Sequence, residues 1–426
     1  MAARSLLAAA LLGSVAFAVP IEERQSCGAA WTQCGGNGWT GATCCASGSS
    51  CVVTNECSTT VASTSRASST TAGATTTRVT SSGTTPVPTG GATYTGNPFA
   101  GVDLYANSYY ASEISTLAIP SLTPAQATAA AKVAKVPTFM WMDTRAKVPL
   151  VDSTLADIRK ANQAGANYAG QFVVYDLPDR DCAAAASTRL LTAALPSTRK
   201  PDSLANLVTN LNVAKCSGAQ AAYLECTNYA VTQLNLPNVA MYLDGGHAGW
   251  LGWQANLGPA ANMYAKVYKD AGSPKALRGI VTNVANYNAW SLSSPPSYTQ
   301  GNSNYDEKHY VEALAPLLSA QGWNAQFIVD QGRSGKQPTG QEAWGDWCNA
   351  VGTGFGLRPS TNTGSSLVDA FVWVKPGGES DGTSDTSAAR YDFNCGKNDA
   401  LKPAPEAGTW FQAYFVQLLT NANPAF

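Results

Sequence analysis

The chain has 426 residues, and its 27 Lys and Arg against 28 Asp and Glu give a formal net charge of -1 at pH 7. Charged residues make up only 13% of the sequence, which excludes a partner held by charge, such as nucleic acid or an anionic membrane. The length exceeds what one small core needs and suits a large α/β domain with an appendage. We therefore expect a two-part protein with a neutral partner.

The first 18 residues are typical of a secretory signal peptide. Arg4 precedes an apolar run over 5–16, and Ala16, Phe17 and Ala18 form a small-residue cleavage site. Residues 19–24 read as a short pro-segment. No later run is long and apolar enough to span a bilayer. We expect a secreted, extracellular protein with paired cysteines.

Residues 25–60 hold six of the 11 cysteines and predict a small disulfide-rich β module. A segment this short cannot fold on an apolar core alone, and three disulfides supply the missing constraint. Six cysteines allow many pairings, and the sequence does not choose among them. The six are Cys27, Cys34, Cys44, Cys45, Cys51 and Cys57.

The order of residues over 31–45 resembles the fungal family-one cellulose-binding module. The resemblance implies that Trp31 and Trp39 stack on glucose rings of crystalline cellulose. The family carries two aromatic residues before its last cysteine, where this chain has Asn55 and Glu56, so part of the stacking face is missing and we expect weak binding. The implied disulfides are Cys34–Cys51, Cys45–Cys57 and Cys27–Cys44.

Residues 61–95 are a candidate linker. From Ser58 onward nearly every residue is Ser, Thr, Ala, Gly, Val or Pro, without a hydrophobic period. Such a composition cannot bury a core and is typical of an extended tether. An O-glycosylated stalk and a bare low-complexity spacer both fit it.

Residues 96–426 alternate apolar runs with helical patterns, which predicts a parallel α/β fold with right-handed crossovers. Polar and aromatic residues follow almost every run, and no Gly-rich dinucleotide fingerprint occurs, so a β/α barrel is favoured over an open sheet. The predicted strands cover 136–143, 170–177, 239–244, 277–284, 325–330 and 367–375. Helical stretches are predicted at 155–163, 221–233 and 310–320.

The run over 239–244 ends in Asp244, and a Gly-rich loop with His247, Trp250 and Trp253 follows it. Ligands of α/β barrels bind where the loops after the strands meet. Indole faces beside polar groups suit a sugar ring, so these residues are candidate substrate contacts. The alternative is core Trp packed beneath the loop. We favour exposure, because the flanking glycines offer little bulk to bury the rings.

Four aspartates lie at strand ends or turns and are candidates for acid–base chemistry: Asp181, Asp202, Asp244 and Asp381. Each alone is more simply a helix cap or a turn residue. Their repetition beside aromatic residues favours chemistry. Since His247 and His309 are the only histidines, a His-based metal site or a Ser–His triad has poor support, and we expect neither metal nor cofactor.

Long motifs in this domain resemble family-six glycoside hydrolases, in particular the fungal cellobiohydrolases of that family. The resemblance covers nearly all of 97–426 and implies a distorted β/α barrel that hydrolyses β-1,4-glucan with inversion and releases cellobiose from the non-reducing chain end. The motifs are Tyr-Asp-Leu-Pro-Asp-Arg-Asp-Cys at 175–182, Pro-Asp-Ser-Leu-Ala-Asn-Leu-Val-Thr-Asn at 201–210, Tyr-Leu-Asp-Gly-Gly-His-Ala-Gly-Trp-Leu-Gly-Trp at 242–253, Asp-Gln-Gly-Arg-Ser-Gly at 330–335, Gly-Asp-Trp-Cys at 345–348 and Trp-Val-Lys-Pro-Gly-Gly-Glu at 373–379.

By this resemblance Asp202 is the general acid, and Asp181 keeps it protonated, because a carboxyl group beside a second carboxylate resists ionisation. Asp381 matches the proposed base, a role that a chain of waters can also fill. The implied platforms for glucose rings are Trp141, Trp250 and Trp347, and the implied polar contacts are Tyr175, His247, Asn286, Lys375 and Glu379. The implied disulfides are Cys182–Cys216 and Cys348–Cys395, which leave Cys226 as the odd, buried thiol.

The chain departs from the family between Asp181 and Asp202. Only 20 residues separate them, whereas the family places a helix and a barrel strand there. A crossover between parallel strands takes a dozen residues or more before the strand itself, so one strand is expected to be missing or improvised. Two explanations fit this short interval: a mis-spliced or mispredicted transcript, or a real protein with a broken barrel. The missing aromatic pair of the small module is a second local deletion, and it favours the transcript.

We therefore expect a secreted two-domain cellulase that acts as a monomer on cellulose and cello-oligosaccharides. The competing class is a non-catalytic glucan-binding protein that keeps the Trp platforms. An endoglucanase of the same family is a third possibility. Against it, the segment 375–405 with Cys395 resembles a loop that roofs the active site into a tunnel.

Overall fold

The computed structural model describes residues 33–35, 49–55, 58–63, 95–175, 181–184 and 202–426, the first three ranges by their backbone alone. Trp31, Trp39 and the six cysteine side chains of the small module lie outside this description, so the stacking face and the pairings expected there stay predictions. The same holds for the signal peptide, the pro-segment and nearly all of the linker.

The small module contributes one antiparallel sheet in the order β1–β3–β2. Its strands are β1 Gln33–Gly35, β2 Ser49–Asn55 and β3 Ser58–Ser63. Thr59, Thr60 and Val61 of β3 are β-branched residues, which favour extended backbone. The composition alone had placed the start of the linker inside β3, so the sheet extends past the expected module boundary at residue 60.

Every apolar run predicted as a barrel strand contains a strand, and all the described strands of the large domain pair in parallel. β8, β9, β10 and β11 form one ladder in chain order, while β5 pairs with β7 and β4 with β6. The two-residue strands β4 and β6 were not predicted. The strands are β4 Asp103–Leu104, β5 Met140–Met142, β6 Tyr168–Ala169, β7 Phe172–Val174, β8 Met241–Asp244, β9 Leu277–Thr282, β10 Gln326–Asp330 and β11 Val368–Val372.

Helices alternate with these strands, and the three predicted helical stretches lie within α3, α5 and α7. Thr123 and Gln126 form a reciprocal capping box at the start of α2. The described helices are α1 Ser108–Glu113, α2 Pro124–Val133, α3 Pro149–Gln163, α4 Ser203–Thr209, α5 Ala214–Gln233, α6 Gln254–Asp270, α7 Glu307–Ala320, α8 Phe393–Gly396 and α9 Gln412–Thr420. None of them combines the length and apolar character needed to cross a lipid bilayer.

Side-chain alternation along the strands separates two of the three clusters of buried apolar residues. In β10, Phe327 and Val329 pack with the helices α4 to α7, while Ile328 between them packs with Val281 and Val372 on the other face of the sheet. Period-two alternation with apolar residues on both faces is the pattern of a parallel sheet covered by helices. The parallel strands therefore present their carboxyl ends at one common edge, where the predicted site residues lie.

β7 and β8 lie on either side of the shortened interval between Asp181 and Asp202, and no described ladder joins them. Among the described residues, β7 pairs only with β5 and β8 only with β9. Residues 185–201, where the missing or improvised strand was predicted, lie outside the described ranges. That strand stays a prediction.

Candidate active site

Asp330 ties together the ends of three strands at the carboxyl edge of the sheet. Its Oδ2 accepts hydrogen bonds from the backbone N–H groups of Ala285 at 3.2 Å and Lys375 at 3.1 Å, and its Oδ1 accepts one from Gly332 at 2.9 Å. Burial raises the pKa of this carboxyl, and the three N–H donors oppose that shift. The loops after β9, β10 and β11 are thereby held in one arrangement.

Asp202 occupies the N-cap position of α4, but its side chain makes no capping hydrogen bond. The simple interpretation of this residue as a helix cap is therefore wrong. Its backbone N–H donates to Oδ2 of Asp244 at 2.5 Å, and the other oxygen of Asp244 accepts from Gly246 at 3.0 Å. Asp244, at the end of β8, thus holds the start of α4 at the strand edge.

Asp181 and Asp202 both have left-handed backbone, with φ of 49° and 69°. Non-glycine residues in this region store backbone strain, and such residues cluster at functional sites. Cys182, the neighbour of Asp181, is bonded to Cys216 in α5, with the Cα atoms 5.0 Å apart. This confirms the disulfide and fixes the chain directly after Asp181.

Asp381 is surrounded by hydrogen-bond donors. Nη1 of Arg333 lies 2.9 Å from its Oδ1 and 2.8 Å from its Oδ2, and the backbone N–H of Asn349 donates to Oδ2 at 2.9 Å. The hydroxyl of Tyr287 lies 2.9 Å from Oδ2 and 2.7 Å from the carbonyl oxygen of Trp347. The Arg333 side chain is only 1% exposed, so this is a buried ion pair.

Trp141, Tyr175, Lys375 and Glu379 form one cluster. The indole N–H of Trp141 donates to the carbonyl of Val374 at 2.7 Å, and the rings of Trp141 and Tyr175 meet edge to face at 5.2 Å. Nζ of Lys375 lies 5.5 Å from the Trp141 ring and 2.8 Å from Oε2 of Glu379. Trp141 and Glu379 also line a small pocket with Lys147, so a flat ring and two opposite charges face one space.

Trp250 and Trp253 are half-buried and pack against the helix-facing core, which corrects the expectation of exposure. The flanking glycines were expected to leave the rings exposed, but they allow the loop to pack closely. A Cβ at Gly249 would lie 2.6 Å from Trp344. Trp250 donates its indole N–H to Thr209 at 2.8 Å, and Trp253 donates to the Gly249 carbonyl at 2.9 Å. Both rings keep only part of a face for a ligand.

Trp347 and Asn286 lie on the loops after β10 and β9. Trp347 is half-buried and precedes Cys348, which is bonded to Cys395 with the Cα atoms 5.0 Å apart. This confirms the second predicted disulfide, which joins the Trp347 loop to the 375–405 segment. Asn286 is 6% exposed, and its Oδ1 accepts from the Tyr287 backbone N–H at 2.7 Å. Cys226 is buried but disulfide-bonded, so the expectation of an odd thiol is wrong.

Several functional candidates were missed because their neighbours come from distant parts of the chain. Nothing local marks Glu113, Asn288 or Glu307 as more than helix or loop residues, and only Asp330 and Arg333 lay in a motif singled out beforehand. Within the described part of the chain, no group of three or more His, Cys, Asp or Glu side chains is arranged to hold a metal ion.

Glu113 is a buried carboxyl at the end of α1. Burial, together with the charge of Glu379, raises its pKa to about 7, although Lys375 and Lys147 act in the opposite direction. The native state therefore holds a proton that the unfolded chain releases at lower pH. Stability from this group is full below pH of about 4.3 and is lost as the pH rises towards 7.

Replacing Glu113 by Gln is expected to remove this loss. A one-unit shift corresponds to about 1.4 kcal/mol, and water at the partly open cleft screens some of it, so we expect a gain of about 1–2 kcal/mol near pH 8 and little change near pH 4. Urea unfolding at both pH values measures it. The exposed Glu312→Gln in α7 is the matched control. An equal effect of Glu113→Gln at both pH values would contradict the assignment.

The loops after the strands thus carry carboxylates, indole rings and a buried cation, a combination that suits an α/β-barrel protein to acid–base chemistry on a ring-shaped, neutral ligand. The chain belongs to glycosyl hydrolases family 6, whose model matches residues 99–196 and 198–422. The model of the fungal cellulose binding domain matches residues 30–57.

Three relatives illustrate the similarity. Exoglucanase 2 of Hypocrea jecorina is 64% identical over 461 residues, covering 98% of each chain, and an endoglucanase of type B from Fusarium oxysporum is 62% identical over 464 residues, covering 100% of each. The structure of cellobiohydrolase II (Cel6A) from Humicola insolens with glucose and cellotetraose is 63% identical, with a TM-score of 0.75, over 78% of this chain and 100% of that one. Both sequence alignments are longer than the 426 residues of this chain, so the relatives contain segments that it lacks.

Proposed function

We propose that this protein hydrolyses β-1,4-glucosidic bonds of cellulose with inversion and releases cellobiose from the non-reducing chain end. The observation that carries the proposal is the placement of Asp202. It starts α4 at the carboxyl edge of the barrel, is anchored there by Asp244, and does not use its carboxyl group as a cap. Family membership and relatives named exoglucanase and cellobiohydrolase support the same function.

In the proposed mechanism Asp202 protonates the glycosidic oxygen as it leaves. Asp181 stabilises the protonated acid and the positive charge that develops on the sugar ring. The backbone strain at both residues supports this assignment, because strained conformations persist where the surrounding structure holds a side chain for a task.

Inversion requires a water molecule to attack the sugar from the face opposite the acid. We assign Asp381 to this side of the reaction, as the base or as the group that receives the proton through a chain of waters. Its buried contacts with Arg333, Asn349 and Tyr287 fix its position. Such a fixed carboxylate orients water without a cost of reorganisation during the reaction.

The rings place the glucan chain. Trp141, Trp250 and Trp347 are half-buried indole rings, and Trp253 adds another at the start of α6. Tyr175, Asn286, Lys375 and Glu379 supply polar contacts around the cleavage point.

We further propose that the chain is secreted, acts as a monomer, and uses the linker at 61–95 to tether the small module to the barrel domain.

Proton NMR of fresh cellotetraose hydrolysate tests the proposal. Inversion predicts that the α anomer of the new reducing end forms first, and β product at the start would contradict it. Asp202→Ala should lower the rate by about 10²–10⁴, the usual contribution of general acid catalysis. Asp270→Ala, at an exposed position of α6, should leave the rate unchanged.

An endoglucanase is the second candidate, and the similarity to the Fusarium relative favours it. The disulfide between Cys348 and Cys395 supports the first candidate instead, because it fastens the 375–405 segment beside the Trp347 loop. Viscosity loss of a soluble cellulose derivative separates the two: an endoglucanase lowers the viscosity early, whereas an enzyme confined to chain ends releases sugar with little change in viscosity.

A further inference from the structure

Asn288 lies between the His247 loop and α7, and its amide orientation is fixed. Its Oδ1 lies 2.7 Å from Nε1 of Trp344. An indole nitrogen can only donate, so the atom facing it must be the amide oxygen. The amide nitrogen then points the other way, 2.7 Å from Oε1 of Glu307 and 3.4 Å from Nδ1 of His247.

Nδ1 of His247 therefore meets donors. The backbone N–H of Gly249 lies 3.2 Å from it, and the Asn288 amide adds a second, longer contact. A nitrogen that accepts from two donors cannot carry a proton of its own. Burial lowers the pKa of His247 to about 4, so the ring is neutral in the ordinary working range and its proton lies on Nε2.

Glu307 supports this arrangement from below the loop. It is fully buried, and its Oε1 accepts both the Asn288 amide and the backbone N–H of Ala248, the latter at 2.9 Å. Tyr310, one turn further along α7, donates to the Gly245 carbonyl at 2.7 Å. The start of α7 thus holds the loop backbone and the Asn288 side chain together.

We propose that Asn288, held by Glu307 and Trp344, is a positioning residue that fixes His247 as the neutral tautomer with its proton on Nε2. The ring then presents a hydrogen-bond donor to a substrate hydroxyl. This inference rests on the proposed function for the substrate contact of His247, whereas the tautomer itself can be measured without any substrate.

If the same hydrogen bonds had a purely structural role, replacement of Asn288 would have a different effect. If Asn288 only packed the loop, its replacement would lower stability and leave the His247 tautomer unchanged. The chain suits this distinction, because it has only two histidines. His309 is half-exposed and lies on α7 beside Asp306, so its ring signals are separable from those of His247.

The test is ¹⁵N–¹H correlation of the imidazole rings in the full chain, near pH 5.5, below the pKa of about 7 to which burial raises Glu307. The wild type should show His247 as the Nε2–H tautomer. Asn288→Asp replaces the longer of the two donors to Nδ1 by an acceptor of the same shape, which competes with the Gly249 N–H. His247 should then carry a proton on Nδ1, as the Nδ1–H tautomer or as the imidazolium. kcat/KM on cellotetraose should fall by at least about tenfold, as for a misplaced donor to substrate.

Two further variants complete the design. Glu307→Gln keeps an acceptor oxygen for Asn288 and Ala248, so it should retain the tautomer and most of the activity. Glu312→Gln, exposed on the same helix, is the matched control. If Asn288→Asp does not fold, Asn288→Ala gives the same test through the pKa of His247, which should rise once a donor to Nδ1 is removed.

An Nδ1–H tautomer in the wild type, an unchanged tautomer in Asn288→Asp, or an unchanged pKa in Asn288→Ala would overturn the inference. If the wild type shows the expected tautomer and a chain lengthened between Ser187 and Pro201 by the helix and strand expected there does not hydrolyse cellotetraose, the proposed function alone is overturned. The two failures are therefore distinguishable.

Discussion

Replacing Arg333 by Met is expected to destabilise the barrel domain by about 3–5 kcal/mol, the cost of leaving one charge of a buried ion pair without its partner. Nη1 of Arg333 contacts both oxygens of Asp381, and Nη2 donates to the Ala285 carbonyl. The guanidinium also lies 4.6 Å from the Tyr287 ring. Removal of the cation leaves the Asp381 carboxylate, 7% exposed, with neutral donors only.

Activity should fall with stability in this variant. Asp381 and Tyr287 position the loop of Trp347, and Ala285 belongs to the loop after β9. We expect kcat/KM on cellotetraose to drop by at least about tenfold, because small displacements of reacting groups are costly. Urea unfolding and initial rates measure the two effects.

A matched control and a double variant test the cause. Arg390→Met breaks an ion pair with Glu406 that is 27% and 43% exposed, so its expected cost is at most about 1 kcal/mol. Arg333→Met combined with Asp381→Asn removes both charges and should recover part of the stability but none of the activity. A double variant no more stable than Arg333→Met would show that lost packing, and not the uncompensated charge, determines the cost.

The strands β5 and β7 to β11 could be predicted because each lies in a mostly apolar run. β8 and β10 end at Asp244 and Asp330, within the runs predicted for them. The two-residue strands β4 and β6 could not be predicted, since so short a segment carries no period and is held by its partner. β3 likewise forms through backbone pairing with β2, although the composition had assigned its last three residues to the linker.

The residue types of the site could be predicted from the sequence, but their hydrogen-bond partners could not. A strand-end carboxylate such as Asp202 or Asp244 is visible in sequence, but the bond from the Asp202 backbone to Asp244 joins positions 42 residues apart. Glu307 reads as a first-turn residue of α7, and only the fold shows that it supports the His247 loop. The exposure of Trp250 was misjudged for the same reason, because the core beneath the loop comes from other helices.

Lengthening the chain between Ser187 and Pro201 is expected to raise both stability and activity by the largest amounts of any change considered. The family resemblance implies a helix and a strand at this point, whereas only 20 residues separate Asp181 from Asp202 in this chain. Among the described residues no ladder joins β7 to β8. Each buried backbone group left unpaired costs roughly 1–3 kcal/mol, against a total stability of about 5–15 kcal/mol for a domain.

A few unpaired groups on the facing edges of β7 and β8 would therefore consume most of the stability of the barrel. The chain as it stands should melt at low temperature or without cooperativity and act poorly on amorphous cellulose, while insertion of the helix and strand typical of the family should restore both properties. A Gly/Ser insertion of equal length is the matched control and should restore neither, because it adds length without a strand. The lengthened chain with Asp202→Ala should fold and stay inactive. If the unmodified chain melts cooperatively and is as active as the lengthened one, residues 190–195 supply the strand themselves and the barrel is closed.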